Sequence, residues 1–232
     1  MTALPAMTPV LETVDDRASA YARIAAALRY PEDQPELQDT YHRLFGHAVR
    51  GACPPYEMEY GQGEIVQQAP LLADITGFYA AFGLELPPAV HERADHVSVE
   101  CEFMSVLATK EAWARDSGIS EAVEVIHDAQ ARFLEDHLGR WLPALSRRME
   151  EADPDGFYGE LARYAASFIE EECTRFGIDV GPPLLDLRPA DPAADATISC
   201  GAEESCPGGR EEPLVQLGID RGSLGGGRAD RV

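Results

Sequence analysis

Residues 10–30 read VLETVDDRASAYARIAAALRY, a stretch whose apolar side chains recur every three or four positions. The apolar stripe consists of Val14, Ala18, Tyr21, Ala25 and Leu28. Because an α-helix has about 3.6 residues per turn, this spacing gathers the stripe on one helix face. The stretch therefore predicts an amphipathic helix, and the proline at position 31 stops it.

Helical periodicity continues to about residue 180, which predicts an all-α domain of six or seven helices. Gly83, Gly118 and Gly177 each follow a periodic segment, where glycine commonly ends a helix. The further helices are expected at 35–45, 65–82, 89–117, 120–137 with a continuation to 149, and 153–176. Residues 46–63 are expected to form a loop and residues 84–88 a linker.

The C-terminal part of the chain has a different composition. Residues 181–232 hold nine of the 20 glycines and six of the 17 prolines, and they contain few large apolar side chains. Such a segment cannot bury enough apolar surface to offset its ordering entropy. We expect a helical domain over 1–189, with 182–187 docked on it, and an acidic, disordered Gly/Pro-rich tail over 190–232.

The charge balance restricts the class of partner. The chain has 19 Lys and Arg against 41 Asp and Glu, a formal net charge of −22. A nucleic-acid backbone or an anionic membrane surface would be repelled, whereas a basic partner would be attracted. No apolar run approaches the roughly 18 residues of a membrane span, so no stable membrane insertion is expected.

Cysteine usage and the N-terminal segment predict a cytoplasmic protein. The five cysteines are widely scattered and odd in number, which does not fit a disulfide framework and favours a reducing compartment. The first 17 residues show no basic stretch followed by an apolar run, so they do not resemble a secretory signal.

The first candidate motif is TYHRLFGHAVRGACPPYEMEYG, residues 40–61. Its candidate binding residues are Tyr41, Phe45, Tyr56, Glu57 and Tyr60. One interpretation is an aromatic anchor that pins a loop to the core. The other is a recognition loop, because tyrosines combine apolar area with a polar tip and glutamates accept a cation.

The second candidate motif is ERADHVSVECEFM, residues 92–104. At about 100° per residue, His96, Val99 and Phe103 share one helix face, with Asp95 and Glu100 on its two edges. One explanation is a core histidine whose ring nitrogens have hydrogen-bond partners inside the protein. The alternative is a groove whose apolar floor is Val99 and Phe103 and whose carboxylates pair with an arginine, the cation best matched to them.

The two motifs together resemble the TorD/DmsD/NarJ-type cytoplasmic chaperones of molybdenum oxidoreductases. The resemblance consists of Tyr-x-x-Leu-Phe at 41–45, Pro-Pro-Tyr-Glu at 54–57, Asp-His at 95–96, the acidic Phe-Met stretch at 100–104, and His-Leu at 137–138 with Trp141. It covers residues 12–178. Within the family, the sequence is most similar to the delta-type chaperones of dimethylsulfide, ethylbenzene and selenate enzymes.

The resemblance implies a non-enzymatic, all-helical chaperone without a cofactor or metal of its own. Its partner would be the catalytic subunit of a molybdopterin oxidoreductase, bound through a twin-arginine signal peptide or another terminal segment during cofactor insertion and before export. The chaperone would be a monomer or a dimer, with residues 84–88 as the hinge of a swapped dimer.

Three other possibilities remain open at this point. Glu124 and His127 have the Glu-x-x-His spacing of di-iron bundles, although Glu124 is predicted to point outward and a second such motif is missing. A generic helical adaptor would instead bind partners that lack a twin-arginine segment. Cys200 and Cys206 form a third candidate, a labile metal or redox clip, for which an inert pair is the alternative.

Overall fold

A computed structural model describes residues 14–46, 51–61, 68–87, 92–189 and 215–216. The described part contains seven α-helices, a 3₁₀ turn (Glu57–Glu59), a π-turn (Leu134–Leu138) and two very short strands. The helices are α1 (Val14–Ala27), α2 (Pro35–Phe45), α3 (Gln68–Ala81), α4 (Val97–Asp116), α5 (Ser120–Phe133), α6 (Gly139–Ala152) and α7 (Phe157–Phe176). The prediction of an all-α domain is confirmed.

Helix α4 lies at the centre of the packing. Helix α1 runs antiparallel to it, since Arg17 at the start of α1 bonds Glu111 near the end of α4. Helices α6 and α7 pack on each other, and α5 packs on α4. The apolar faces meet in one core whose largest fully buried side chains include Trp141, Tyr21, Tyr79, Tyr158, Phe103, Phe133 and Phe168.

Helices α5 and α6 form one continuous helical rod through the π-turn. Gly139 is required there, because a Cβ at this position would lie 2.6 Å from the backbone oxygen of Leu134. Pro143 has no N–H to donate to the carbonyl of Gly139 one turn earlier. That carbonyl accepts a 3.0 Å hydrogen bond from the N–H of Gly181 instead. Gly139 and Pro143 therefore do not interrupt the helix, although both residue types commonly break helices.

The start of α4 differs from the expectation of a helix over 89–117. The helix begins at Val97, and His96 is its N-cap, with extended backbone angles and a side chain that accepts from the N–H of Ser98. A cap residue lies outside the regular helix, so Asp95 and His96 belong to the preceding turn. They do not lie on the helix face as predicted.

A buried charged cluster that was not predicted from the sequence joins four helices. Arg17 is 2% exposed and donates to both carboxylate oxygens of Glu172 at 2.6–2.9 Å. It also bonds Glu111 at 3.0 Å and Gln130 at 2.8 Å. Burial opposes the charge, but the hydrogen bond and charge of Glu172 outweigh it and raise the pKa of Arg17. The cluster fixes α1 to α4, α5 and α7.

The chain after α7 crosses back over the domain. Gly177 ends the helix in the left-handed conformation, with φ of 68°. Residues 181–189, here called the strap, then dock on the helical body, as expected for 182–187. Farther on, β2 (Val215–Gln216) pairs antiparallel with β1 (Leu84–Glu85), a contact that the sequence analysis did not predict.

The remaining tail, including Cys200 and Cys206, lies outside the described residues. Within the described ranges, none of the helices combines the length and the apolar character needed to cross a membrane.

Candidate functional site

The two sequence motifs meet in the structure as a short antiparallel pair. The N–H of Glu57 donates to the carbonyl of Asp95 at 2.9 Å, and the N–H of Val97 donates to the carbonyl of Pro55 at 2.9 Å. Residues 55–57 thus lie along residues 95–97, although about 40 positions separate them in sequence. Main-chain pairing therefore builds one site from both motifs.

The carboxylate of Asp95 bonds the loop of the first motif and not the neighbouring His96. Its Oδ2 accepts from the N–H of Met58 at 3.1 Å, and Arg93 donates to both carboxylate oxygens at 2.9 and 2.6 Å. Burial raises the pKa of Asp95, although Arg93 and the Met58 N–H act against the rise. The carboxylate fixes the 3₁₀ turn on the start of α4.

His96 is buried and held as a neutral ring. Its Nδ1 accepts from the N–H of Ser98 at 3.2 Å, so the proton of the neutral imidazole is on Nε2. Burial lowers the pKa of His96 to about 4, although the nearby charge of Glu92 opposes this. Nε2 makes no hydrogen bond within the described part of the chain, and the carboxylate of Glu92 lies 3.9 Å away.

Tyr56 forms the outer wall of the site. Its hydroxyl donates to Glu92 at 2.7 Å, and its ring packs edge-on to His96 with the centroids 5.1 Å apart. The guanidinium of Arg93 covers the Tyr56 ring at 4.7 Å, a cation–π contact. Burial, together with Glu92, raises the pKa of this phenol. Tyr56 is half-buried and remains within reach of a ligand.

Glu57 points inward and is completely buried. One carboxylate oxygen lies 3.0 Å from Nδ1 of His137, and the other accepts from Arg140 at 2.5 Å. The opposite ring nitrogen of His137 lies 3.2 Å from the carboxylate of Asp74 on α3. This chain of contacts fixes the loop to the π-turn, α6 and α3.

Glu100 is the second fully buried acid of the site. Its Oε2 accepts a 3.1 Å hydrogen bond from the indole of Trp141, whereas Oε1 has no hydrogen-bond partner among the described residues. Burial raises the pKa of Glu100 well above its usual value, and the charge of Glu57 adds to the rise. The ring of Tyr60 lies on Trp141 with the centroids 5.2 Å apart.

Six of the ten predicted site residues lie where the two motifs meet, a region here called the junction. They are Tyr56, Glu57, Tyr60, Asp95, His96 and Glu100. The other four are core residues. Tyr41 and Phe45 pack on Tyr158, away from the paired loop. Val99 is 4% exposed and Phe103 is inaccessible among aromatic rings. An open groove with Val99 and Phe103 as its floor is therefore absent from the described part of the structure.

The partners that orient the buried acids were not predicted from the sequence. His137 and Trp141 were noted only as a resemblance, and Arg93, Asp74 and Arg140 were assigned no role. The signal available was the run His-Leu-Gly-Arg-Trp at 137–141, which places three hydrogen-bonding side chains within about one helical turn.

The di-iron alternative receives no geometric support. Glu124 and His127 are both exposed on α5. In the described ranges, no group of three or more His, Cys, Asp or Glu side chains is placed to hold a metal ion.

A separate cleft of about 670 Å³ lies between the end of α1 and the start of α7. Its lining includes Tyr30, Leu37 and Phe157. It contains none of the six junction residues, so it is distinct from the site formed by the two motifs.

Comparison with known proteins agrees with the motif pattern. "Selenate reductase assembly chaperone protein" of Thauera selenatis is 30% identical over 198 residues, which cover 78% of this chain and 100% of that protein. "Perchlorate reductase assembly chaperone protein" of Dechloromonas aromatica (strain RCB) is 30% identical over 135 residues, covering 57% of this chain and 59% of that protein.

"Chaperone protein TorD" of Vibrio cholerae serotype O1 (strain M66-2) is 27% identical over 139 residues, which cover 60% of this chain and 61% of that protein. The match therefore spans about three fifths of the length of this relative. The family model described as "Nitrate reductase delta subunit" matches residues 13–147, more than half of the sequence. This chain belongs to the nitrate reductase delta subunit family, and the resemblance to TorD/DmsD/NarJ-type proteins is confirmed.

Proposed function

We propose that this protein is a non-catalytic maturation chaperone that binds the twin-arginine signal peptide, or another basic terminal segment, of a molybdenum oxidoreductase catalytic subunit in the cytoplasm. Membership of the family and the names of its relatives support this role. The observation that carries the proposal is the main-chain pairing of the two motifs, which places three buried carboxyl groups, those of Glu57, Asp95 and Glu100, at one junction.

The chemistry of the junction suits an arginine followed by an apolar run. Carboxylates accept a guanidinium bidentately, and such charge-assisted hydrogen bonds are stronger than neutral ones. Tyr56, Tyr60 and Trp141 supply aromatic surface beside the acids. The net charge of −22 would attract a basic segment from solution.

We assign the client contacts to Tyr56, Glu57, Tyr60, Asp95, His96 and Glu100. The core positions Tyr41, Phe45, Val99 and Phe103 are left out of this assignment, because their side chains are buried in the helical body. Because the acids are buried in the described conformation, a client arginine reaches Glu57 or Glu100 only when the part of the protein that covers these side chains moves aside.

The test is a binding titration of the full chain with two synthetic peptides. One peptide carries two adjacent arginines followed by an apolar run, and its control has both arginines replaced by glutamine. We expect at least about tenfold weaker binding of the control, because each charge-assisted bond contributes about 1.5–3 kcal/mol. Added salt should weaken only the arginine peptide. Equal affinities for the two peptides would reject the acidic-site mechanism.

A further inference from the structure

The strap pairs with the candidate recognition loop through its main chain. The N–H of Gly61 donates to the carbonyl of Asp186 at 2.8 Å, and the N–H of Arg188 donates to the carbonyl of Glu59 at 2.9 Å. Tyr60 and Leu187 face each other between these two bonds as an antiparallel bridge. An extended segment of the chain itself thus occupies the free edge of residues 59–61.

The side chains of the strap resemble those expected of a client. Its sequence, GPPLLDLRP, combines leucines with one arginine. Leu185 and Leu187 are half-buried against the core, whereas Leu184 is 71% exposed. The Nε and Nη1 atoms of Arg188 are shielded from solvent, and its main-chain N–H bonds the carbonyl of Glu59. A short segment with three leucines, one arginine and one aspartate therefore already lies on this edge.

The strap is linked to the buried acid of the site through two aromatic rings. Leu187 lies against Tyr60, Tyr60 lies against Trp141, and the Trp141 indole donates to Glu100. The second oxygen of Glu100 has no hydrogen-bond partner within the described residues. A buried carboxyl oxygen without a donor is unusual, because leaving a buried acceptor without a hydrogen bond costs folding free energy.

We propose that residues 59–61 are the edge on which the client's arginine-bearing segment docks as an extended antiparallel strand, and that the strap occupies this edge in the free chaperone. The proposal rests on the proposed function. An incoming segment would replace the strap on the Gly61 N–H and the Glu59 carbonyl, and would uncover Tyr60, Trp141 and Glu100.

The physical basis is competition for the same main-chain groups. Strand addition at a free edge uses backbone hydrogen bonds for affinity and leaves side-chain pockets for specificity. Any extended peptide can replace the strap's two bonds to the loop. When a segment of the same chain covers a site, a ligand can bind only to the open state. The apparent affinity for the ligand is then the intrinsic affinity multiplied by the fraction of molecules that are open. Loosening the strap should therefore strengthen client binding.

The test compares two variants of the full chain in a Trp113→Phe background, where Trp141 is the remaining tryptophan. The double variant Leu185→Ser/Leu187→Ser weakens the docked side chains of the strap. Leu184→Ser is the matched control, because it makes the same change at the exposed neighbour. The readouts are acrylamide quenching of Trp141 fluorescence and affinity for the arginine peptide described above.

We expect stronger quenching and about five- to tenfold tighter peptide binding in the double variant, with neither change in the control. Equal quenching in the two variants, or unchanged affinity in the double variant, would overturn the strap inference. If no variant distinguishes the arginine peptide from its glutamine control, the proposed function itself fails.

A second variant restrains the strap instead of releasing it. Glu59→Cys/Arg188→Cys, with Cys200 and Cys206 changed to Ser, places two thiols on neighbouring paired residues, within the Cα separation that a disulfide needs. Oxidation should weaken binding of the arginine peptide at least about fivefold, and a reductant should restore it. Equal affinity in the oxidised and reduced forms would contradict the competition.

Discussion

Glu57 and His137 lie 80 positions apart in the sequence, yet a carboxylate oxygen of the first is 3.0 Å from Nδ1 of the second, with both side chains fully buried. The contact joins the loop of the first motif to the π-turn between α5 and α6. It makes the loop part of the folded body, so that loop geometry and domain stability depend on each other.

His137→Ala should therefore lower the free energy of unfolding. The substitution leaves Glu57 without one of its buried partners and creates a cavity, which together should cost about 3 kcal/mol. Urea denaturation measures the loss. The matched control is His127→Ala on α5, whose side chain is 47% exposed and should cost less than about 1 kcal/mol. Similar losses in the two variants would show that the buried contact contributes nothing specific.

Arg17→Met tests the buried charged cluster. Removing one partner from a buried ion pair typically costs about 3–5 kcal/mol, because Glu172 and Glu111 lose a donor. Arg23→Met changes an exposed arginine of the same helix and should shift stability by no more than about 0.5 kcal/mol. Thermal or urea unfolding of both variants provides the comparison. A stable Arg17→Met protein would mean that other cations already satisfy the two glutamates.

His96 predicts an acid-sensitive stability. Its folded pKa is about 4 against about 6.5 in the unfolded chain, so the unfolded state binds more protons between these values. Stability should fall as the pH drops through this window, and the histidine should cost about 2 kcal/mol between pH 7 and pH 5.

His96→Asn separates this effect from the capping role. Asparagine retains an acceptor for the Ser98 N–H, as an N-cap residue should, but it does not titrate. The variant should lack the histidine's share of the loss between pH 7 and pH 5, as measured by urea denaturation at both values. An identical pH profile in the variant would show that His96 is not the titrating group.

Glu100→Gln should act on stability and binding in opposite directions. Because the pKa of Glu100 is raised in the folded state, its contribution to stability is complete below about pH 4.5 and is lost as the pH rises through the folded pKa. Glutamine cannot ionise and still accepts from the Trp141 indole. The variant should therefore gain stability relative to the native protein as the pH rises.

The same variant should bind the arginine peptide about tenfold more weakly, because one charge-assisted acceptor is lost. Asp95→Asn is the comparison. Because Asp95 holds the loop through the Met58 N–H, the Asp95→Asn variant should lose stability, unlike Glu100→Gln. Unchanged affinity in Glu100→Gln would remove this residue from the client site.

Truncation after residue 189 should leave the helical domain folded. The described contact that is lost is the pairing of Val215–Gln216 with Leu84–Glu85, which should contribute about 1 kcal/mol or less. The melting temperature of the truncated chain measures this. A fall of ten degrees or more would show that the tail packs more extensively on the domain.

The sequence by itself determined the helical class and most helix positions. The apolar period of α1 and the identity of α2 at 35–45 needed only local information, and Gly83, Gly118 and Gly177 have the positive φ of helix-ending glycines. These features depend on neighbours a few residues apart, which is the range over which helix periodicity and capping operate.

Tertiary structure decided what the acidic residues do. The pattern put Asp95 and His96 on a helix face, but pairing with residues 55–57 makes the helix begin at Val97 and turns Asp95 toward the loop. Likewise, the burial of Glu57 depends on His137 and Arg140. An isolated helix cannot make a buried carboxylate favourable, because its partners come from distant parts of the chain and only the folded packing excludes water from them.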